Sequence, residues 1–208
     1  MGGGPLRRRV VLVGATGSFG ERLAELLARD SRFELVLAAR RPEPLQALAA
    51  RLGAEAVVFD RRSPLGLKTM DPWAVVDAAG PFQTSDLGLA EAAIGCGAHY
   101  LDLADGREFV ARCPAALDAA ARRAGVAAIT GASSTPALTH AALDLMTNGW
   151  TRVDRIAVAI SGGSRAPRGL AVVRSILSYA GRPVRVFTGG GWRGGTSHQR
   201  RSPGWACV

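Results

Sequence analysis

Three glycines recur at a spacing of three near the start of the chain. They are Gly14, Gly17 and Gly20, within VVLVGATGSFGERLAELLAR (10–29). Such a triplet bears on chemistry in one setting: a buried strand must run into it and a helix must leave it. The glycines then permit a tight turn, close approach of backbone to a pyrophosphate, and close packing of helix on strand. The helix start adds free N–H groups and a positive dipole end for the phosphates. Both flanks are present. Residues 8–13 are dominated by valine and leucine, as a buried strand is. Residues 18–29 set Phe19, Leu23, Leu26 and Leu27 on one helical face. The motif reads as a dinucleotide turn, against the plainer reading of a glycine turn that only packs a helix. Thr16 and Ser18 are placed to offer hydroxyls to phosphate or to cap the helix, and Phe19 lies beside them.

The end of the second strand selects between dinucleotides. An Asp or Glu about 20 residues past the glycines holds the ribose hydroxyls of NAD. Counting 20 from Gly20 lands on Arg40, followed by Arg41; the next acid is Glu43. Guanidinium groups there neutralise a 2′-phosphate and stack on adenine. The sequence therefore predicts NADP(H) over NAD(H), with a solvated basic pair before Pro42 as the alternative. Asp60 ends the third strand and is a candidate acceptor for the adenine amino group, or a strand-end turn residue. DAAGPF (77–82) ends the fourth. Its Ala79, Gly80 and Pro81 let the chain pass close to the nicotinamide half, or form an ordinary turn. Candidate proton donors are Tyr100, His99 and Asp102 around the fifth strand, and His140 in a later helix. The catalytic residues stay unassigned, because no nucleophile–base pair stands out. GASSTP (131–136) offers hydroxyls to a ligand or a plain N-cap cluster.

These positions need a frame, and strands alternate with helices to supply one. Strand patterns at 33–40, 55–60, 73–80, 99–104 and 126–131 follow the first. Helix patterns fall at 42–53, 86–97, 114–125 and 135–146, with Pro114 in a first turn and Thr135 as a candidate N-cap. The rhythm predicts an α/β fold with a Rossmann-type doubly wound parallel sheet. RIAVAISGG (155–163) then alternates as a half-exposed strand, residues 168–181 form an amphipathic helix pattern, and PVRVFT (183–188) reads as a strand. They suggest the start of a second α/β domain. The expected division is 1–148, 149–188 and a Gly/Arg-rich tail over 189–208, read as loop or disorder.

Charge separates the same regions. The net +9 comes entirely from residues 149–208, which hold 10 Arg and one acid, Asp154; residues 1–148 hold 16 basic and 16 acidic side chains. Few aromatics interleave with the tail arginines, which argues against a nucleic-acid platform. No apolar run reaches the ~20 residues of a membrane span, and no cleavage-like site follows the start. Cys96, Cys113 and Cys207 lack metal-type spacing, so no metal site is expected, and the chain reads as a cytoplasmic protein with reduced thiols.

Three blocks in order carry a family likeness: GATGSFGERLAELL, VVDAAGPFQTSDLGLAEAAIGCGAHYLDLADGREFV and AGVAAITGASSTPAL. Together they resemble the saccharopine dehydrogenase-like reductases, and within them the bacterial branch that includes trans-acting enoyl reductases of lipid biosynthesis. The likeness covers about residues 8–187. It implies an NADP(H)-binding Rossmann domain followed by an α/β domain that contacts a small-molecule substrate and mediates dimerisation. The glycine turn maps onto Gly14–Gly20, the ribose-phosphate position onto Arg40, and the segment after the fourth strand onto Ala79–Pro81. Family members continue well beyond Val208, so the sequence resembles a truncated or frame-shifted copy. The expected function is an NADP(H)-dependent oxidoreductase acting on an imine, carbonyl or activated alkene. The alternative is an NADP(H)-binding protein without turnover.

Overall fold

In the computed structural model the described residues are 7–154, 156, 158, 173, 177–178, 182–188 and 191–196. Six parallel strands build one sheet. They are β1 (Arg8–Val13), β2 (Phe33–Ala39), β3 (Glu55–Val58), β4 (Ala74–Asp77), β5 (His99–Asp102) and β6 (Ala128–Ile129). Their order is β3-β2-β1-β4-β5-β6, the doubly wound arrangement expected from the alternation. The winding reverses between β1 and β4. A crevice therefore opens there, beyond the carboxyl ends of the strands, where ligands of such sheets bind.

Four helices cover the two faces: α1 (Gly20–Ala28), α2 (Pro42–Leu52), α3 (Gly88–Gly95) and α4 (Arg107–Ala124). Alternate residues of β1 feed two separate cores. Val11 and Val13 join Val36, Val75, Leu89, Tyr100, Phe109 and Leu117 on the α3–α4 face. Leu12 joins Leu37, Leu45 and Leu48 on the α1–α2 face. A strand buried on both faces must be apolar at every position, which is why VVLV reads as an unbroken run.

Three expectations need correction. Helix α4 begins at Arg107, so Pro114 lies inside it rather than in its first turn. Phe109, Cys113, Leu117 and Ala121 repeat every four residues on its buried side, and this stripe carries the helix through the proline. Thr135 is not the cap of the next helix. A π-helical turn spans Ser134–Leu138, and α5 (Thr139–Met146) follows with Leu138 at its N-cap position. Third, part of the glycine-rich tail is ordered. β7 (Pro183–Thr188) pairs antiparallel with β8 (Gly191–Thr196) in a two-stranded sheet. Gly194 and Gly195 had hidden that strand's periodicity, while the Gly-Gly between the two runs is itself a hairpin signal. The strand expected at 155–163, the helix at 168–181 and the rest of the tail lie largely outside the described residues.

Candidate functional site

The carboxyl ends of β3, β2, β1 and β4 stand side by side, and four predicted groups fall on that one edge: Asp60, Arg40, the glycine turn and Ala79–Pro81. The turn is built by contact as much as by conformation. Gly14 has φ +81°, and a Cβ there would lie 2.8 Å from the Ala79 N and Cα atoms. A Cβ at Gly20 would overlap the Gly14 carbonyl oxygen, so α1 is seated directly on the turn. Gly17 N–H donates to the Gly14 carbonyl at 2.9 Å and closes the loop. No side chain caps α1. Among the described residues, the backbone N–H groups of Thr16, Ser18, Phe19 and Gly20 have no partner. Four donors at a helix start, with a positive dipole end behind them, suit a diphosphate.

The acid nearest those donors is already neutralised. Glu21 and Glu25 of α1 both accept from Arg51 of α2 at 2.6 Å. The bond from Arg51 also holds the Glu25 carboxyl below its usual range. Thr16 is half-buried, while Ser18 and Phe19 are exposed over the turn. Arg40 directly follows β2 next to the turn, whose Gly14 and Ala15 N–H groups donate to the Ala38 carbonyl at 2.8 and 3.2 Å. Arg40 and Arg41 are exposed, and neither makes an ion pair among the described residues. Asp60 serves its own turn: Oδ1 accepts from Arg62 N–H at 3.0 Å.

The segment after β4 is the most heavily tied part of this edge. Asp77 is wholly buried. Its Oδ1 accepts from Ala79 N–H at 2.9 Å, and its Oδ2 accepts from Arg61 Nη2 at 2.6 Å and Nε at 3.1 Å. Arg61 also donates to Ser85 Oγ, and that hydroxyl donates to the Pro81 carbonyl at 2.9 Å. Gln83 Nε2 donates to Asp105 at 3.0 Å, and Arg112 donates to the Ser85 carbonyl at 3.1 Å. Burial pushes the Asp77 carboxyl up; Arg61 and the Ala79 N–H offset this only in part, and the buried Asp102 carboxylate, in register on β5, adds a smaller upward push. Asp102 Oδ1 accepts from Ala104 N–H, Thr130 Oγ1 and Gly131 N–H at 2.9, 3.0 and 2.8 Å, which fastens the end of β6 to β5.

Of the proton-donor candidates, Asp102 ends β5 at this edge beside Asp77, and the Tyr100 hydroxyl donates to Asp77 Oδ2 at 3.5 Å; His99 and His140 lie elsewhere. Tyr100 is enclosed in the core, and burial raises its hydroxyl far above the ordinary value. His99 begins β5 at the opposite edge of the sheet, packed on Trp73, with Nδ1 accepting from Ala127 N–H at 3.0 Å. His140 is exposed on α5. A separate cleft of about 380 Å³ lies between α4 and the β5–β6 edge, lined in part by Tyr100, Cys113, Leu117 and Thr130 and by none of the dinucleotide candidates. Among the described residues, no group of three His, Cys, Asp or Glu side chains is placed to hold a metal. No helix among them is long and apolar enough to cross a membrane.

The profile of a family described as the saccharopine dehydrogenase NADP-binding domain matches residues 10–144. The chain belongs to this family. Its closed glycine turn, open donor set and unpaired Arg40 fit the dinucleotide that the family name implies. Comparison with curated proteins finds no match. Among solved structures, the chain is similar to apo saccharopine dehydrogenase (L-Glu forming) from Saccharomyces cerevisiae, at 18% identity and a TM-score of 0.57. That match covers 67% of this chain and 30% of the yeast enzyme, and it shows the fold. The chain is also similar to scyllo-inositol dehydrogenase from Lactobacillus casei, at 20% identity and a TM-score of 0.49, over 61% of this chain and 36% of that one. The chain thus spans about a third of the length of each. In this saccharopine dehydrogenase-family domain, Arg61, Asp77 and Ser85 were not legible as a group in the sequence. The one signal was a carboxylate closing the apolar run AVVD, which a buried strand end must pair.

Proposed function

We propose that the chain binds NADP(H) and forms the dinucleotide-binding part of an oxidoreductase acting on an imine, carbonyl or activated alkene of a small molecule. The observation that carries this is the glycine turn of a saccharopine dehydrogenase-family domain, closed by its own backbone, with four free N–H donors and Arg40 one strand away. Thr16, Gly17, Ser18, Phe19 and Gly20 receive the pyrophosphate. Arg40 and Arg41 take the 2′-phosphate, Asp60 faces the adenine side, and Ala79, Gly80 and Pro81 wall the nicotinamide side. When bound, the cofactor supplies a hydride to the substrate or takes one from it. On this reading residues 1–148 are the dinucleotide domain, and 149–188 begin a domain for substrate and dimerisation.

Titration with the two dinucleotides tests it. NADPH is expected to bind at least about tenfold tighter than NADH, and Arg40→Ala to erase most of that difference. A preference for NADH that is unchanged in Arg40→Ala would refute the assignment. A second reading, binding without turnover by this chain alone, is favoured by the enclosed Tyr100 hydroxyl and the remote His99. Binding of NADPH with no oxidation across imine, ketoacid and enoyl substrates would establish it.

A further inference from the structure

We propose that Arg61 is a positioning residue for the nicotinamide half of the dinucleotide, acting through the 78–85 loop without touching the cofactor. The inference rests on the dinucleotide reading above. With Arg40 on the β2 side of the turn, the adenosine half lies over β2 and β3. The other half must then extend across the switch point, over the end of β4. The wall it meets there is Ala79-Gly80-Pro81, packed against Gly14. None of these three residues carries a polar side chain, so the path of the backbone alone sets how close the nicotinamide ring comes.

That path is mostly irregular, with a single short 3₁₀ turn at Phe82–Thr84. An irregular wall holds a ligand only if it is fixed, and Arg61 fixes it at both ends. Its guanidinium grips Asp77 where the loop leaves β4 and Ser85 where the loop finishes. Asp77 in turn holds Ala79 N–H, and Ser85 holds the Pro81 carbonyl. Between these anchors the guanidinium lies 5.6 Å from the ring centre of buried Phe82. The Arg61 side chain is only 12% exposed and Asp77 not at all. A buried ion pair is weak evidence of stabilisation, since an apolar pair of similar volume often serves as well. A planar fork that joins two points of a loop does something an apolar pair cannot: it sets geometry. Every contact named here is made with the 77–85 stretch.

The two halves of the ligand separate this role from a general one. The probes are NADPH and the adenosine fragment carrying the 2′- and 5′-phosphates, each titrated into the full chain, with a thermal melt of every variant. Arg61→Ala is expected to weaken NADPH about tenfold and Ser85→Ala about threefold, while the fragment stays within about twofold of wild type in both. The emission of bound NADPH should shift toward that of the free cofactor. Arg61→Lys should recover part of the loss, because one ammonium cannot span Asp77 and Ser85 together. Equal weakening of NADPH and fragment would overturn the proposal, as would unchanged NADPH binding in both variants. Should Arg61→Ala fail to fold, Ser85→Ala decides alone, and an unaltered ratio of NADPH to fragment affinity refutes the role. A wild-type chain that takes up neither probe would sink the dinucleotide reading itself, and this inference with it.

Discussion

A methyl group added at Gly20 would overlap the carbonyl oxygen of Gly14, which is backbone and cannot swing aside. A methyl group added at Gly53, the stop of α2, would meet nothing within 4 Å and would cost only the left-handed conformation. The two substitutions should therefore behave differently. Gly53→Ala is expected to lower stability by about 1 kcal/mol and leave NADPH binding alone. Gly20→Ala should cost more than about 3 kcal/mol or abolish binding, because α1 must lift off the turn. Urea unfolding and NADPH titration of both variants check this. The same scale shows which site residues a sequence can reveal. Gly14, Gly17, Gly20 and Arg40 are found by counting, since a turn and the next strand end are local features. Arg61 is not, because Asp77 lies 16 residues away and meets it only when the β3–β4 connection crosses the loop. Two arginine pairs, Arg40-Arg41 and Arg61-Arg62, look alike in the sequence. Only the fold leaves the first without carboxylate partners among the described residues and gives Arg61 to a buried one.

Helices α4 and α5 have similar apolar patterns and different surroundings. Leu117 of α4 is 3% exposed against β5 and β6, while Leu145 of α5 is 80% exposed, and α5 has no buried residue. Leu117→Ala is expected to destabilise by about 2–5 kcal/mol through lost burial and a residual cavity. Leu145→Ala should change stability by no more than about 0.5 kcal/mol. Thermal or urea unfolding separates them, and a large loss at Leu145 would show that α5 is covered in solution. Periodicity located both helices but could not rank them, since it reports an apolar face and not the presence of a partner. It also misplaced the start of α4, because Pro114 is a strong local stop signal that the four-residue stripe from Phe109 to Ala121 overrides. The parallel sheet was legible for the opposite reason. Burial on both faces writes itself into the apolar runs Val10–Val13 of β1 and Leu35–Ala39 of β2, and strand alternating with helix leaves few topologies to choose from.

Over the whole molecule, Asp77 and Asp102 are the buried charged side chains among the described residues; Arg61 pairs with Asp77, and among those residues Asp102 makes no ion pair. This imbalance gives the stability of the chain a pH dependence with a definite sign. Burial holds the folded Asp77 carboxyl above its ordinary 3.8, so the folded state favours the protonated form. Its contribution is fully present below the unfolded value and is lost as pH rises through the folded one. Asp30 and Glu25 act in the other direction, since Arg32 and Arg51 hold them low, Asp30 at about 2. Both lie at the surface, with side chains 29% (Asp30) and 37% (Glu25) exposed, so about 0.5 M salt should weaken their effect more than that of Asp77. In Asp77→Asn the titration is absent, and the altered contacts add an offset that does not depend on pH. The unfolding free energy of wild type minus that of Asp77→Asn, measured by urea titration in salt, should therefore fall as pH is raised from 3.8 and then level off. A difference that instead rises with pH would show that attraction to Arg61 outweighs burial and that the carboxylate is the favoured folded form. The pH at which the change levels off marks the folded titration of Asp77, and hence whether Arg61 grips an anion or a neutral acid at the pH where the dinucleotide would bind.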